Sequence, residues 1–243
     1  MVYKLNPNIS TDSVLFAHQT NKLKVLLVER ENIFSEDFKE SMHDLKLPGG
    51  LVYNDELLKD AAQRILKEQT GLEGIILEQF DVLDSLERMD NQVDRKWLSQ
   101  TSGLVIDRVI SVAFYGIVKM ENIKHQPLSN QAHWVEIAQT RKLPFDHNEI
   151  IYRALKVVRN KLKKEALVFR LLPEKFTISE LQTTLQLFYN NHLDSRNFRK
   201  KIKKFDYIVP LAEKQHNVAH KPAGLYKFDK KRFEKFTNNR ITF

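Results

Sequence analysis

Residues Gly50–Leu72 read GLVYNDELLKDAAQRILKEQTGL, directly after the Pro/Gly break Leu47–Pro48–Gly49–Gly50. From Asp55 to Gln69 the spacing predicts a helix, with Leu58, Ala61, Ala62, Ile65 and Leu66 on one face. Gly71 sits just past the last turn, where a glycine closes a helix in the left-handed conformation. Glu56 and Arg64 carry opposite charges on either side of the first turn. An ion pair between them would fix the loop onto the helix.

Beyond helix periodicity, the stretch resembles the Nudix box: Gly, five residues, Glu, seven residues, then Arg-Glu-apolar-X-Glu-Glu-X-Gly-apolar. Gly50, Glu56, Arg64, Glu68 and Gly71 fill their fixed slots, and Leu66 and Leu72 fill the apolar ones. The resemblance implies an α/β fold, a Nudix-like α/β/α sandwich with a mixed sheet. In that family three glutamates at helix positions i, i+3 and i+4 project together. They hold Mg²⁺ or Mn²⁺, which clamps a diphosphate and activates water. Here the three slots hold Ile65, Glu68 and Gln69. An amide oxygen is a neutral, weaker ligand for a hard cation, and isoleucine is none. The expectation is that no catalytic set survives, that Glu68 alone is left as a weak metal ligand, and that any hydrolysis falls by several decades.

Working outward, Ser13–Ala17 and Lys24–Val28 read as strands about a polar turn at 18–22. Ile75–Val82, Ile110–Val118 and Ala132–Ile137 are further strands. Asp84–Arg108 is polar and poorly periodic and reads as a long surface excursion. His147–Lys164 is strongly helical, with Ile150, Ile151, Ala154, Leu155, Val158 and Leu162 forming its apolar stripe. This divides the chain into residues 1–146, a connector helix 147–164, and residues 165–243.

The net charge of +8 divides at the same place. Residues 1–164 hold 23 basic and 23 acidic side chains, whereas 165–243 hold 16 basic and 8 acidic. A neutral unit joined to a basic one points to a polyanionic partner. There is no cysteine, which excludes disulfides, thiolate metal sites and cysteine nucleophiles, and fits a cytoplasmic location. No apolar run is long enough for a membrane helix, so no membrane partner is expected.

The basic unit reads as helix, helix, helix, then a two-strand hairpin. Glu165–Leu172 stops at Pro173. Thr177 with Glu180 makes a capping box for a helix running to about Asn191, with Leu181, Leu185 and Phe188 inward. Asp194 or Ser195 caps a third helix, Arg196–Phe205. In it Phe198, Ile202 and Phe205 anchor one side and leave Arg196, Asn197, Arg199, Lys200, Lys203 and Lys204 for the others. A short basic helix after a helix and tight turn is the form of a major-groove reader, with Arg and Asn suited to base edges and lysines to phosphates. Tyr207–Leu211 and Gly224–Phe228 are the hairpin strands. The wing tip between them carries Lys214, His216, His220 and Lys221, whose histidines read as loop residues rather than a zinc site.

Taken together, the chain resembles the Nudix-related transcriptional regulators of NrtR type. The resemblance rests on the box, on RVISVA at 108–113, on the Phe145–Asp146–His147 turn and on LLPEKFTISELQ at 171–182. It also rests on Asp194, Arg196–Arg199, Lys221–Ala223 and Leu225–Tyr226. It implies a ligand-responsive regulator: a homodimer that binds a duplex DNA operator through the winged helix and senses a nucleotide or sugar metabolite such as ADP-ribose or arabinose. Binding of that effector would act through the 147–164 helix. The residues it implies for the effector are Gly49, Gly50, Arg64, Glu68 and Arg108; for DNA, the helix cations already named, with Asn197 and Lys221. No cofactor is required on this reading. The alternative is a Mg²⁺- or Mn²⁺-dependent Nudix hydrolase of ADP-ribose or a similar diphosphate, drawing carboxylates from Glu73, Glu78 or Glu121. A third reading is RNA binding by the basic unit. The 84–103 stretch is longer than in that family and lies where a ligand could be contacted.

Overall fold

The computed structural model describes residues 4–19, 22–30, 45–119, 121, 126, 128–164, 166–189, 191–216 and 221–240. It contains two compact units whose division falls between Val157 and Val158.

The first unit is built on a mixed sheet. Its strands are β1 (Leu5–Gln19), β2 (Lys22–Glu29), β3 (Leu45–Lys46), β4 (Gly49–Tyr53), β5 (Glu78–Leu83), β6 (Ile110–Val118) and β7 (Ala132–Glu136). The main path runs β3-β2-β1-β6-β5, with β4 paired to β1 and β7 to β2. β1 and β6 are parallel, Ile9–Ala17 in register with Ile110–Val118. Every residue from Ser10 to Ala17 is buried, so both faces of this strand are covered. That explains its continuous apolar run, SVLFA, in place of alternation.

Helix α1 (Leu58–Thr70) packs Ala62 and Leu66 into a core with Leu15, Leu26, Val112 and Phe114. Gly71 ends it at φ 78°, donating its N–H to the Lys67 carbonyl at 2.8 Å. Helix α2 (Gln92–Ser102) is capped by Asn91, whose side chain accepts from the N–H groups of Val93 and Asp94. Helix α3 (His147–Lys164) buries Ile150, Ile151 and Ala154 in this unit.

The second unit holds a three-stranded sheet ordered β8-β10-β9, from β8 (Lys175–Phe176), β9 (Ile208–Lys214) and β10 (Gly224–Phe228). Its helices are α4 (Ile178–Tyr189), α5 (Ser195–Ile202) and α6 (Lys230–Arg240). Thr177 and Glu180 form the reciprocal cap: Thr177 N–H donates to Glu180 Oε2 at 2.7 Å and Glu180 N–H to Thr177 Oγ1 at 3.1 Å. An aromatic cluster fills the space beneath the hairpin, Phe169 stacked on Phe228 at 4.1 Å and Tyr207 edge-on to Phe233 at 5.1 Å.

Several elements differ from the sequence expectation. The 84–108 excursion is not irregular throughout: a 3-10 turn (Leu86–Met89) and α2 lie within it. α2 is mostly polar because it lays one side on the unit, so little apolar periodicity marks it. Residues 166–170 form a 3-10 turn instead of a full helix. The strand expected at Ile75–Val82 occupies Glu78–Leu83. α5 ends at Ile202, with Lys203 and Lys204 in a turn, and the hairpin strand expected at Tyr207–Leu211 runs Ile208–Lys214. The two-residue β8 is too short to show a period, and α6, marked only by Phe233 and Phe236 at i and i+3 among charged residues, was not expected either. His220 lies outside the described residues.

Candidate functional site

The box residues fold onto themselves. Arg64 donates through Nε and Nη2 to Glu56 at 2.7 and 2.8 Å, a forked pair across the first turn of α1. Glu56 also accepts from the Tyr53 N–H, and the Arg64 guanidinium lies over the Tyr53 ring at 4.1 Å. The hydrogen bond from Arg64 holds the Glu56 carboxyl below its ordinary range, and the same bond raises Arg64. Glu68, the remaining carboxylate of the three slots, accepts from Arg64 Nη1 at 3.0 Å and is more than half exposed.

The other two slots have become structural. Ile65 is buried in the core side of α1. Gln69 clasps Gly49: the Gly49 N–H donates to Oε1 and Nε2 donates to the Gly49 carbonyl, both at 3.0 Å. The Lys46 ammonium sits against the same turn, donating to the carbonyls of Gly49 (2.8 Å) and Leu47 (3.1 Å) and to Gln69 Oε1 (3.3 Å). Burial pushes this lysine down to about 8, Asp12 opposing and Arg30 adding to the shift. A divalent ion of the Nudix kind does not fit these residues. One carboxylate is engaged by arginine, one slot is apolar and one is an amide already bonded to the backbone. Among the described residues no group of three acids or histidines is placed to hold a metal. Glu73 instead pairs with Lys67 at 2.9 Å, and Glu78 accepts from Tyr115 Oη at 2.9 Å.

Beside this turn lies a buried polar centre that the sequence reading missed. Asp12 accepts from Arg88 Nη2 at 2.7 Å and from Ser111 Oγ at 2.5 Å. Arg88 reaches on to Asp146. His147 Nδ1 lies 3.1 Å from the Leu47 nitrogen, whose N–H donates to it, and Nε2 faces Asp12 Oδ1 at 3.5 Å. Burial alone would raise the Asp12 carboxyl, but the neighbouring His147 and Arg88 and the hydrogen bonds from His147 and Ser111 hold it far below the carboxylate range. Gly49 is required at this place: a Cβ there would lie 2.0 Å from Asp12 Oδ1. The local signal for it is an acid inside an otherwise apolar strand: Asp12 directly precedes the run Ser13–Ala17 and lies within β1.

A cavity of about 290 Å³ opens between these groups, lined among others by Ser10, Lys46, Gly49, Arg88, Trp97 and His147. Trp97, on α2, has Arg30 and Lys46 over its ring at 5.4 and 5.8 Å. Arg30 in turn pairs with buried Asp94 of α2. Ser10 is buried and its Oγ has no hydrogen-bond partner among the described residues, which leaves a donor and acceptor for a bound molecule or water. Of the residues expected to contact an effector, Gly49 and Gly50 line this cavity. Arg64 and Glu68 are spent on the Glu56 cluster, and Arg108 is exposed, with Nη2 3.4 Å from the Asp84 carbonyl. None of these three is among the lining residues.

In the second unit Asp194 caps α5, accepting from the Asn197 N–H at 2.8 Å. Phe198 and Ile202 turn inward, whereas Arg196, Asn197, Arg199, Lys200, Lys203 and Lys204 are exposed. Arg196, Arg199, Lys200 and Lys203 line one shallow hollow together with Ser195. Lys221, before β10, is exposed as well.

A mixed sheet carrying a Nudix box, joined in one chain to a capped helix pair with a β-hairpin, defines a Nudix protein with a winged-helix unit. The Nudix domain model matches residues 8–156, and the chain belongs to that family. The model of the NrtR DNA-binding winged helix domain matches residues 168–228. The chain is 26% identical over 228 residues, 92% of its length and 82% of the relative's, to the "ADPR responsive transcriptional repressor NtrR" of Acinetobacter baylyi. In fold it is similar to Shewanella oneidensis NrtR complexed with a 27mer DNA (TM-score 0.68, 23% identity, 93% of this chain and 95% of that one). It is also similar to a MutT/nudix family protein from Enterococcus faecalis (TM-score 0.63, 21% identity, 94% and 89%). No helix among the described residues is long and apolar enough to cross a membrane.

Proposed function

We propose that this chain is a DNA-binding transcriptional regulator whose Nudix unit binds a nucleotide-type metabolite without hydrolysing it. The observation that carries the reading is the loss of the metal set beside an intact cavity. Ile65 is in the core and Gln69 is bonded to Gly49, while the cavity still presents Ser10, Lys46 and Arg88. The winged helix supplies the output. Arg196, Asn197 and Arg199 face solvent at the start of a firmly capped helix, where side chains reach base edges. Lys200, Lys203, Lys204 and Lys221 meet phosphates. The Acinetobacter relative is named as responsive to ADPR, so ADP-ribose is the ligand to test first. The protein acts as a homodimer on a duplex operator and needs no cofactor. The effector regulates only if it binds the DNA-competent and DNA-incompetent states with unequal affinity.

The test is binding of the purified chain to the duplex upstream of its own coding region, with and without ADP-ribose. Sequence-specific binding altered at least several-fold by ADP-ribose is expected. Mg²⁺- or Mn²⁺-dependent turnover of ADP-ribose, lost in Glu68→Gln, would establish a hydrolase instead. Preference for structured RNA over duplex would overturn the operator reading.

A further inference from the structure

We infer that the Lys46 ammonium occupies the place of the Nudix divalent cation, so that this chain binds its ligand without any metal ion. The inference rests on the reading of the first unit as a binding module. Its physical basis is the set of oxygens around one buried nitrogen. Gln69 stands in a helix slot where the Nudix pattern has a metal-holding glutamate, and its Oε1 lies 3.3 Å from Lys46 Nζ. The Gly49 and Leu47 carbonyls complete a three-oxygen nest at 2.8 and 3.1 Å. An ammonium has three hydrogens, and this nest offers one oxygen for each. Lys46 is only 5% exposed, so its charge depends on this nest and its neighbours rather than on water.

The residue at 69 is matched to this arrangement. A glutamine accepts from the Gly49 N–H with one atom and donates to the Gly49 carbonyl with the other. A carboxylate accepts only and would face the Gly49 carbonyl without a proton between them. The charged groups around Lys46 come from several elements. Asp12 of β1 attracts it and Arg30, after β2, repels it. Arg88 and His147 are engaged with Asp12. A divalent ion placed on the same oxygens would be repelled by the Lys46 ammonium in a water-poor site, where repulsion is little screened. Restoring a carboxylate at 69 therefore does not by itself rebuild an ion site while Lys46 is present.

Two measurements test this on the full chain. Isothermal titration with Mn²⁺ compares Gln69→Glu with Lys46→Met/Gln69→Glu, circular dichroism verifying the fold. The double variant is expected to bind Mn²⁺ at least tenfold more tightly than the single one. Equal affinity of the two, whether strong or absent, overturns the inference. The second measurement needs no variant: ADP-ribose affinity of the unaltered chain in EDTA against Mn²⁺. Agreement within about twofold is expected, and a tenfold dependence on the ion overturns the inference. If the unaltered chain binds no ADP-ribose in either buffer, the effector reading fails, and the Mn²⁺ titrations still decide the role of Lys46.

Discussion

Arg88 donates to Asp12 at 2.7 Å with both side chains about one-twentieth exposed, joining the 3-10 turn before α2 to the central strand. A charge pair this deep costs desolvation, and removing one partner strands the other. Asp12→Asn and Arg88→Met are each expected to lower stability by about 3–5 kcal/mol. Denaturant unfolding of each variant checks this. A loss below 1 kcal/mol in both would show that the pair is not holding the turn.

Lys46 gives the fold a specific pH signature. In the folded chain it titrates near 8, against 10.5 when unperturbed. Between these values the unfolded chain keeps a proton that the folded one has shed, so stability contributed by this group rises with pH. The unfolding free energy of the unaltered protein minus that of Lys46→Met should climb from pH 8 to 10.5. A flat difference across that window would contradict the assignment.

The cap on α5 ties local structure to DNA binding. Asp194 satisfies the Asn197 N–H at the start of a helix only Ser195–Ile202 long. Asp194→Ala should cost about 1 kcal/mol of helix stability. Operator affinity should fall with it, and ADP-ribose binding should not. Equal loss of both affinities would mean that the whole chain had been destabilised.

Cations on and after α5 should separate into two classes. Arg196→Ala and Arg199→Ala are expected to cost about 1–3 kcal/mol on the specific duplex and to relax its sequence preference. Lys203→Ala and Lys204→Ala should weaken all duplexes alike and each reduce the salt slope by about one. Binding isotherms over a salt series distinguish these. If both arginine variants bind normally, α5 is not the reading helix.

Much of this was local and therefore legible in the sequence. The Gly50–Leu72 spacing announced α1 and its Gly71 stop, because a helix repeats every few residues and a glycine closes it without strain. His147–Lys164 carried an apolar stripe long enough to fix both ends of α3. The Thr177–Glu180 cap and the Asp194 cap were written in residues three apart. α2 was hidden because its polar surface leaves little periodic signal.

By itself the sequence determined α1, α3 and the two capped helices of the basic unit, the loss of two of three metal carboxylates and the basic character of residues 165–243. Only the tertiary structure decided what replaced the metal set and where the cavity lies. Asp12, Lys46, Arg88 and His147 come from four separate segments, and no spacing rule links them. Backbone hydrogen bonding repeats along the chain and leaves a pattern to read. A buried charge takes its partners from whatever the sheet and its crossovers bring near, and that exists only once the chain has folded.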